Sequence, residues 1–500
     1  MIKLEELLQA VQVLDAILEQ SAITISGVAY HSGKVTPGQL FVCVRGYQTD
    51  GHQYLEKAVH NGATAAIVEQ FQAHIPIPQY RVSNSRIALA RLAAAFYHHP
   101  ADKLDMIGIT ASNGKTTTSY MVNAMLENHG LKTGLIGTVS IKIDDTEIPS
   151  QLTTPESLDL QHYLKQMVDR GVTHTTMEVS SSALETHRVE GIVYDIVSLN
   201  NISREHIDTH GSFERYWQVK SSLIRQASAN SYAVLNLDDP YAASLINETA
   251  AQVITFGWKN NAGHLHCKNL DLSTGRAKYT VEILKPFSVK GITYAEGEFE
   301  IELSVPGLHS VYNSLVAITI ALLCGISVST IQHTLRTFSG VERRFDFIYE
   351  DDFTIIDDHF ANPGNIDVTL ETLKFMNFGK LHLVYGIRGS RGPTVNRENA
   401  EAIARWAAKL DMNEIIATKS VSHVTAKDYV TDEEVAVFMD EMAKAKIDVR
   451  LYDELPDAIS DALSQAVAGD LILLGGCQGM DPAARIVFEQ LRQNGKNKMG

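Results

Sequence analysis

Five hundred residues with a formal net charge of −16, 45% hydrophobic and 20% charged, make a globular chain too long for one core, with about three domains expected at ~150 residues each. The acidic balance argues against nucleic acid as a partner, because any phosphate-bearing ligand must be held by a local site against a repulsive field. No run of eighteen apolar residues occurs, the first twenty residues lack a basic segment and cleavage site, and Cys43, Cys267, Cys324 and Cys477 lie far apart. The expectation is therefore a cytoplasmic protein with reduced thiols, neither membrane-inserted nor secreted.

In chain order, residues 1–20 read as an amphipathic helix, and the first hundred residues as a small α/β domain with strands at Gln39–Val44 and Ala63–Val68. Tyr97–Asp102, carrying Pro100, reads as a linker. A second domain, to about residue 340, opens on the strand pattern Met106–Thr110, followed by a glycine-containing turn and a helix towards Gly130. Strand patterns at His174–Val179, Asp195–Leu199 and Ala233–Leu237 alternate with helical ones at Leu158–Arg170 and Phe213–Gln226, which predicts a mostly parallel sheet. Residues 263–304 change to period-two alternation, an antiparallel hairpin section, and an apolar helix follows at Val311–Cys324. From about 341 strand patterns at Phe353–Ile356, Leu381–Tyr385, Glu414–Ala417, Val449–Tyr452 and Leu471–Leu474 predict a doubly wound, Rossmann-like third domain, whose ligands belong at the strands' carboxyl ends.

The strongest local signal is Gly108-Ile-Thr-Ala-Ser-Asn-Gly-Lys-Thr-Thr-Thr118, a strand, a tight turn and a helix start. Backbone N–H groups of Ala111, Ser112, Asn113, Gly114, Lys115, Thr116 and Thr117 can surround phosphate oxygens there. Lys115 would reach the β- and γ-phosphates and the Thr116 hydroxyl would ligate Mg²⁺. Ile109 stands where the generic phosphate loop carries glycine, and an ordinary strand-to-helix turn with an exposed lysine is the alternative. Glu178 ends a predicted strand and suits hard Mg²⁺, which prefers oxygen ligands. Glu205, His206, Asp208 and His210 form a second cluster that also fits a transition metal, although the phosphate loop calls for magnesium.

Taken together these segments resemble the Mur ligases, ATP-dependent enzymes that add amino acids to the peptidoglycan precursor, and specifically the MurE branch. The likeness begins at His31-Ser32-Gly33 and continues through Gly108–Thr118, Leu135-Ile-Gly-Thr138 and Thr153-Thr154-Pro155-Glu156. It runs on through Glu178-Val-Ser-Ser181, Arg188-Val189, Asn201–Gly211, Lys220 and Asn236-Leu-Asp-Asp239. Pro306–Asn313, Phe338–Asp346 and Asp357-Asp358 complete it. It implies a uridine-nucleotide domain at 1–100, an ATP domain at 101–340 and an amino-acid domain at 341–500. It further implies that ATP phosphorylates a substrate carboxylate and that an amine then displaces phosphate, with positioning and charge neutralisation dominating catalysis.

By the same resemblance Lys115, Glu178, His206 and Lys220 form the catalytic group, and Thr116, Glu178, His206 and Lys220 (as N6-carboxylysine) hold Mg²⁺. Asn313, Arg344 and Asp358 complete the ATP site. Ser32, Thr153, Thr154, Ser180, Thr186, Arg188 and Arg391 face the UDP-activated muramoyl peptide and the incoming amino acid. A monomer is implied.

The departures cluster at the amino-acid end. Ala111 replaces a family glycine, Thr186 a glutamine, and Ala361 a histidine. The Gly-Gly-Asp-Arg-Asp stretch reads Arg388-Gly389-Ser390-Arg391-Gly392, the diaminopimelate-marking Asp-Asn-Pro-Arg reads Ser420-Val421-Ser422-His423, and Gly-Lys-Gly-His-Glu reads Gly476-Cys477-Gln478-Gly479-Met480. Diaminopimelate is thereby disfavoured. The same losses also fit a ligase recruited to another peptide-like product, or a nucleotide-binding scaffold with weak activity.

Overall fold

A computed structural model describes all residues except 21, 47–48, 204–210, 341–344 and 498–500. His206, Arg344 and the cluster partners Glu205, Asp208 and His210 fall outside the described residues. The chain forms two compact units: residues 1–266, 283–297 and 315–331 in the first, and 267–282, 298–314 and 332–500 in the second.

In the first unit, a five-stranded sheet runs in the order Asp15–Ile17, Gln79–Arg81, Ala63–Val68, Gln39–Val42, Gly27–Ala29. All neighbours are parallel except the first pair. The amphipathic helix expected over residues 1–20 is cut short at Leu4–Leu8. Leu4 and Leu7 are buried, but Leu14 and Leu18, which one continuous helix would bury beside them, are 47% and 53% exposed. Sheet pairing wins: Leu14 N–H donates to Arg81 O at 2.8 Å and Asp15–Ile17 becomes an edge strand. The expected linker at Tyr97–Asp102 is instead a packed turn, with His98 and His99 in the left-handed region and Pro100–Lys103 a short 3₁₀ helix. Proline fits a helix start, where its missing N–H costs nothing, and Ala101 enters the core.

The larger sheet of this unit places Thr146–Pro149, Ser140–Ile143, Thr133–Ile136, His174–Glu178, Asp105–Thr110, Ile196–Leu199, Tyr232–Asn236 and Gln252–Gly257 side by side in that order. The last six are parallel and the first two antiparallel. Strand Asp105–Thr110 sits inside, buried on both faces, as its unbroken apolar run requires. In the hairpin section, Phe287–Val289 pairs antiparallel with Ile292–Tyr294.

The second unit carries a six-stranded sheet in the order Asp346–Glu350, Thr354–Asp358, Leu471–Gly475, Leu381–Gly386, Glu414–Thr418, Asp448–Tyr452. Only the first pair is antiparallel. Helices Pro363–Leu373, Gly392–Ala407 and Asp432–Lys444 share one core with it, and Leu455–Gln465 and Ala483–Asn497 share the other. This is the doubly wound arrangement expected.

A buried carboxylate organises the loop after Leu381–Gly386. Glu434 Oε1 accepts from Arg391 N (3.0 Å) and Gly392 N (2.8 Å), and Oε2 from Ser390 N (3.2 Å) and Thr431 N (2.9 Å). Burial pushes this carboxyl up, but the N–H donors of Thr431, Gly392 and Arg391 outweigh it and hold it below its usual range. Its stabilising contribution is therefore full above the unfolded value of ~4.3 and lost as pH falls through the lower folded value. Glu434→Gln should cost about 2 kcal/mol at neutral pH. Unfolding measured at neutral pH and below about pH 4 should show the difference from wild type shrinking in acid.

Candidate functional site

Strand Asp105–Thr110 delivers the loop Ala111–Gly114 to the carboxyl edge of the large sheet, and helix Lys115–Asn128 follows directly. Gly114, at φ 87°, is the helix N-cap; this left-handed turn is open to glycine at no steric cost. The loop is fastened to one segment. Ser112 N–H donates to Asn201 O (3.0 Å), Asn113 N–H donates to Asn201 Oδ1 (3.0 Å), and Asn201 Nδ2 returns a bond to Asn113 O (2.9 Å). Ser112 Oγ lies 2.9 Å from Tyr216 Oη and accepts from Ser203 N at 2.9 Å. Because the Ser112 and Asn113 amides are engaged, anion binding falls to the N–H groups of the first helical turn, from Gly114 to Thr117.

Two lysines converge on one carbonyl. Lys115 Nζ donates to Ala111 O at 2.8 Å and to Ser112 O at 3.0 Å. Lys220 Nζ donates to the same Ala111 O at 2.7 Å. Lys220 is 2% exposed and stands one turn after Tyr216 on helix Phe213–Arg225, its ammonium 5.2 Å from the Tyr216 ring centre.

Glu178, at the end of the neighbouring strand, is fully buried. Its Oε2 accepts from Thr116 Oγ1 (3.0 Å) and Thr138 Oγ1 (2.9 Å), and its Oε1 from Thr138 N (2.9 Å). No Lys, Arg or His among the described residues pairs with it. A buried carboxylate held only by neutral donors is completed by a cation. The donor set, all oxygen beside a phosphate loop, fits Mg²⁺.

The substrate-side candidates gather next to it. Thr154 Oγ1 donates to Glu178 O (2.8 Å) and accepts from Ser180 N (3.1 Å), and Thr153 Oγ1 lies 3.1 Å from Thr138 Oγ1. Arg188 donates from Nη1 to Thr154 O (3.0 Å), and its Nε is 3.1 Å from Glu156 Oε1. Glu156 also faces Arg86 at 3.4 Å. The Thr186 hydroxyl is engaged with Ser182 O at 2.6 Å, within its own helix. Ser32 is buried at the start of a 3₁₀ turn, where its carbonyl accepts from Asn61 Nδ2 at 2.9 Å, and Tyr30 Oη donates to Asp159 at 2.6 Å. Burial, then Asp159, pushes the Tyr30 hydroxyl far up, so it remains a donor.

The second unit holds the remaining candidates. Asn313 is 3% exposed, with no hydrogen-bond partner for its Nδ2 among the described residues. Asp358 is braced by Phe345 N (3.0 Å), His359 N (2.8 Å) and the Thr369 hydroxyl. Arg391 reaches Asp428 at 3.4 Å. Asn201, Thr138, Tyr216 and Glu156 were visible in the sequence only as motif members; their partners lie far along the chain, and spacing alone gave them no task.

The fold and site thus define an α/β protein with a phosphate loop, a buried cation-seeking carboxylate and a separate doubly wound domain. Sequence profiles of three Mur ligase domains match successive segments: the catalytic domain at residues 24–97, the middle domain at 109–321, and the glutamate ligase domain at 343–478. The UDP-N-acetylmuramoyl-L-alanyl-D-glutamate–2,6-diaminopimelate ligase of Caldanaerobacter subterraneus is 35% identical over 456 residues, covering 91% of this chain and 90% of that one. Its counterpart from Geobacillus thermodenitrificans is 35% identical over 455 residues, covering 89% and 88%. Among solved structures, one ligase of the same name superposes with a TM-score of 0.69 at 22% identity, over 95% of this chain and 97% of that one. The MurF ligase of Thermotoga maritima in complex with ADP gives 0.62 at 21%, over 96% and 100%. The chain belongs to the Mur ligase family.

The Asn201 amide should matter to nucleotide binding in particular. Asn201→Ala removes both bonds to the Asn113 backbone, and the Kd for Mg-ATP, measured by calorimetry, should rise about tenfold. An unchanged Kd would show that the loop holds its shape without this clamp.

Proposed function

We propose that the protein is an ATP-dependent, ADP-forming ligase that joins an amino acid to the carboxylate of a UDP-N-acetylmuramoyl peptide in peptidoglycan synthesis, and so serves wall growth, cell shape and division. The observation that carries this reading is one cluster. Lys115, Thr116, Glu178 and Lys220 meet at the loop Ala111–Gly114, and Thr153, Thr154, Ser180 and Arg188 adjoin Glu178 through the hydrogen bonds described above.

In this reading residues 1–100 hold the uridine nucleotide with Ser32, 101–340 hold ATP, and 341–500 hold the amino acid with Arg391. A substrate carboxylate oxygen attacks the γ-phosphorus of ATP and ADP departs. The amine then attacks the acyl carbon of the resulting acyl phosphate, phosphate leaves, and the amine sheds its proton. Mg²⁺ supplies charge neutralisation on the transferring phosphoryl group. Thr116 and Glu178 would hold it, joined by His206 and by Lys220 once carbamylated. Carbamylation, by which the neutral amine adds CO2 and sheds a proton, gives Lys220 one negative charge shared by two oxygens, which must turn away from Ala111 O. Lys115 exchanges its loop carbonyls for phosphate oxygens, and Arg188 meets the anionic peptide. Asn313, Arg344 and Asp358 would complete the nucleotide contacts.

In this reading the protein works in the cytoplasm as a monomer. No helix among the described residues is long and apolar enough to cross a membrane. The Caldanaerobacter and Geobacillus relatives are named as diaminopimelate ligases, but a different acceptor is favoured here. Ser420 donates to Gly479 O (2.6 Å), Ser422 to Glu454 (2.8 Å), and Met480 is buried where the Gly-Lys-Gly-His-Glu pattern of the resemblance carries glutamate.

Phosphate release from Mg-ATP should require both UDP-MurNAc-L-Ala-D-Glu and an amino acid, with an amino acid other than diaminopimelate giving the highest kcat/KM in a panel. Lys115→Ala should lower turnover roughly a thousandfold. Release that ignores the muramoyl dipeptide, or survives Lys115→Ala, would sink the reading.

A further inference from the structure

The Glu178 carboxylate takes its orientation from one dipeptide. Strand Thr133–Ile136 runs parallel to His174–Glu178 with Ile136 opposite Met177, so the two residues that follow it fall beside Glu178. Thr138 grips the carboxylate twice, its N–H on Oε1 and its hydroxyl on Oε2, both at 2.9 Å. A Cβ at Gly137 would collide with Oε1, so only glycine permits this approach. The same Thr138 hydroxyl lies 3.1 Å from Thr153 Oγ1. A hydroxyl has one proton to give. With that proton on the ionised Glu178, the stronger acceptor, Thr138 accepts from Thr153 and thereby fixes where the Thr153 hydroxyl points.

We propose that Thr138 is a positioning residue that orients Glu178 for the metal ion and, through the same hydroxyl, orients Thr153 for the muramoyl-peptide substrate, so that the two binding events are coupled. This rests on the reading of Glu178 as a magnesium ligand and Thr153 as a substrate contact. Partners that orient a ligating carboxylate commonly govern metal affinity tenfold or more, and Thr138 is the residue that holds both oxygens of this one.

The experiment titrates Mn²⁺, a paramagnetic stand-in for Mg²⁺, into the full chain with ADP present, reading free Mn²⁺ by electron paramagnetic resonance. Wild type, Thr138→Val, Thr138→Ser and Gly137→Ala are compared. The KM for UDP-MurNAc-L-Ala-D-Glu and the Tm without metal are measured beside it. Thr138→Val should weaken Mn²⁺ about tenfold and raise that KM several-fold, with Tm little changed, and Thr138→Ser should restore both. Gly137→Ala keeps the hydroxyl but crowds Oε1, and should weaken Mn²⁺ as well; it tests the clamp even where the valine variant does not fold. If wild type binds Mn²⁺ and the valine and alanine variants bind it equally well with KM unchanged, the positioning role is overturned. The same holds if affinity falls only in step with Tm and serine fails to restore it. Wild type that binds no Mn²⁺ would overturn the metal reading itself, a separate failure.

Discussion

Removing a carboxylate from water without a counter-cation is among the costlier things a fold can do, and the interior of the larger sheet is built around one. Glu178 is fully buried, and its donors among the described residues are the Thr116 and Thr138 hydroxyls and the Thr138 amide, all neutral. The parallel register sets the place: Glu178 lies opposite Ile109 on one side, and Met177 opposite Ile136 on the other. The three strands therefore end within two residues of one another along the ladder, and the residues just past each end, Gly137, Val179 and Ala111, lie at the carboxyl edge where such sheets bind ligands. The phosphate loop and the carboxylate are neighbours because the backbone ladder leaves them no alternative.

The cationic side of the site follows from the same geometry. A chain with net charge −16 attracts a polyphosphate only through a local concentration of positive potential. Lys115 arrives from the helix that the loop opens and Lys220 from a helix far along the chain, and both ammonium groups share the Ala111 carbonyl. Two like charges so close are held by acceptors that an entering phosphate can replace for Lys115, while the burial of Lys220 keeps it within the protein. The loop itself does not have to move to receive a ligand: Asn201 and Tyr216 already hold Ser112 and Asn113. Preorganisation of this kind is what a reaction governed by positioning requires.

Local pattern made much of this readable. The strand, glycine turn and helix around Gly114 lie within a dozen residues, so periodicity and turn chemistry sufficed, and the buried parallel strands announced themselves as apolar runs. The fastening was not readable, because hydrogen bonds between residues 40, 88 and 104 positions apart, at Thr138–Glu178, Asn113–Asn201 and Ser112–Tyr216, leave no spacing signal. Where a local pattern misled, tertiary pairing was the cause. Leu4, Leu7, Val11, Leu14 and Leu18 repeat with helical period, yet the open edge of Gln79–Arg81 claims Asp15–Ile17 as a strand. The segment carrying Pro100 reads as a linker, and helix Ser85–Phe96 does stop before it, but the turn that Pro100 starts is packed rather than loose.

The two strand–loop–helix units that begin at Asp105 and Leu381 use the same architecture to opposite ends. A helix start offers orphan N–H groups and a positive dipole end, and something negative settles there. At Gly392–Ala407 the protein supplies the anion itself: Glu434 takes the amides of Ser390, Arg391 and Gly392 and is held ionised by them. At Lys115–Asn128 the neighbouring carboxylate, Glu178, is drawn instead onto Thr116 and Thr138 side chains and the Thr138 amide, and the N-cap, Gly114, has no side chain to cap the helix start. One loop is thereby closed as a structural joint by the protein's own carboxylate, and the other is not. The difference rests on where each loop's neighbouring glutamate is anchored, Glu434 on loop amides and Glu178 on the threonines.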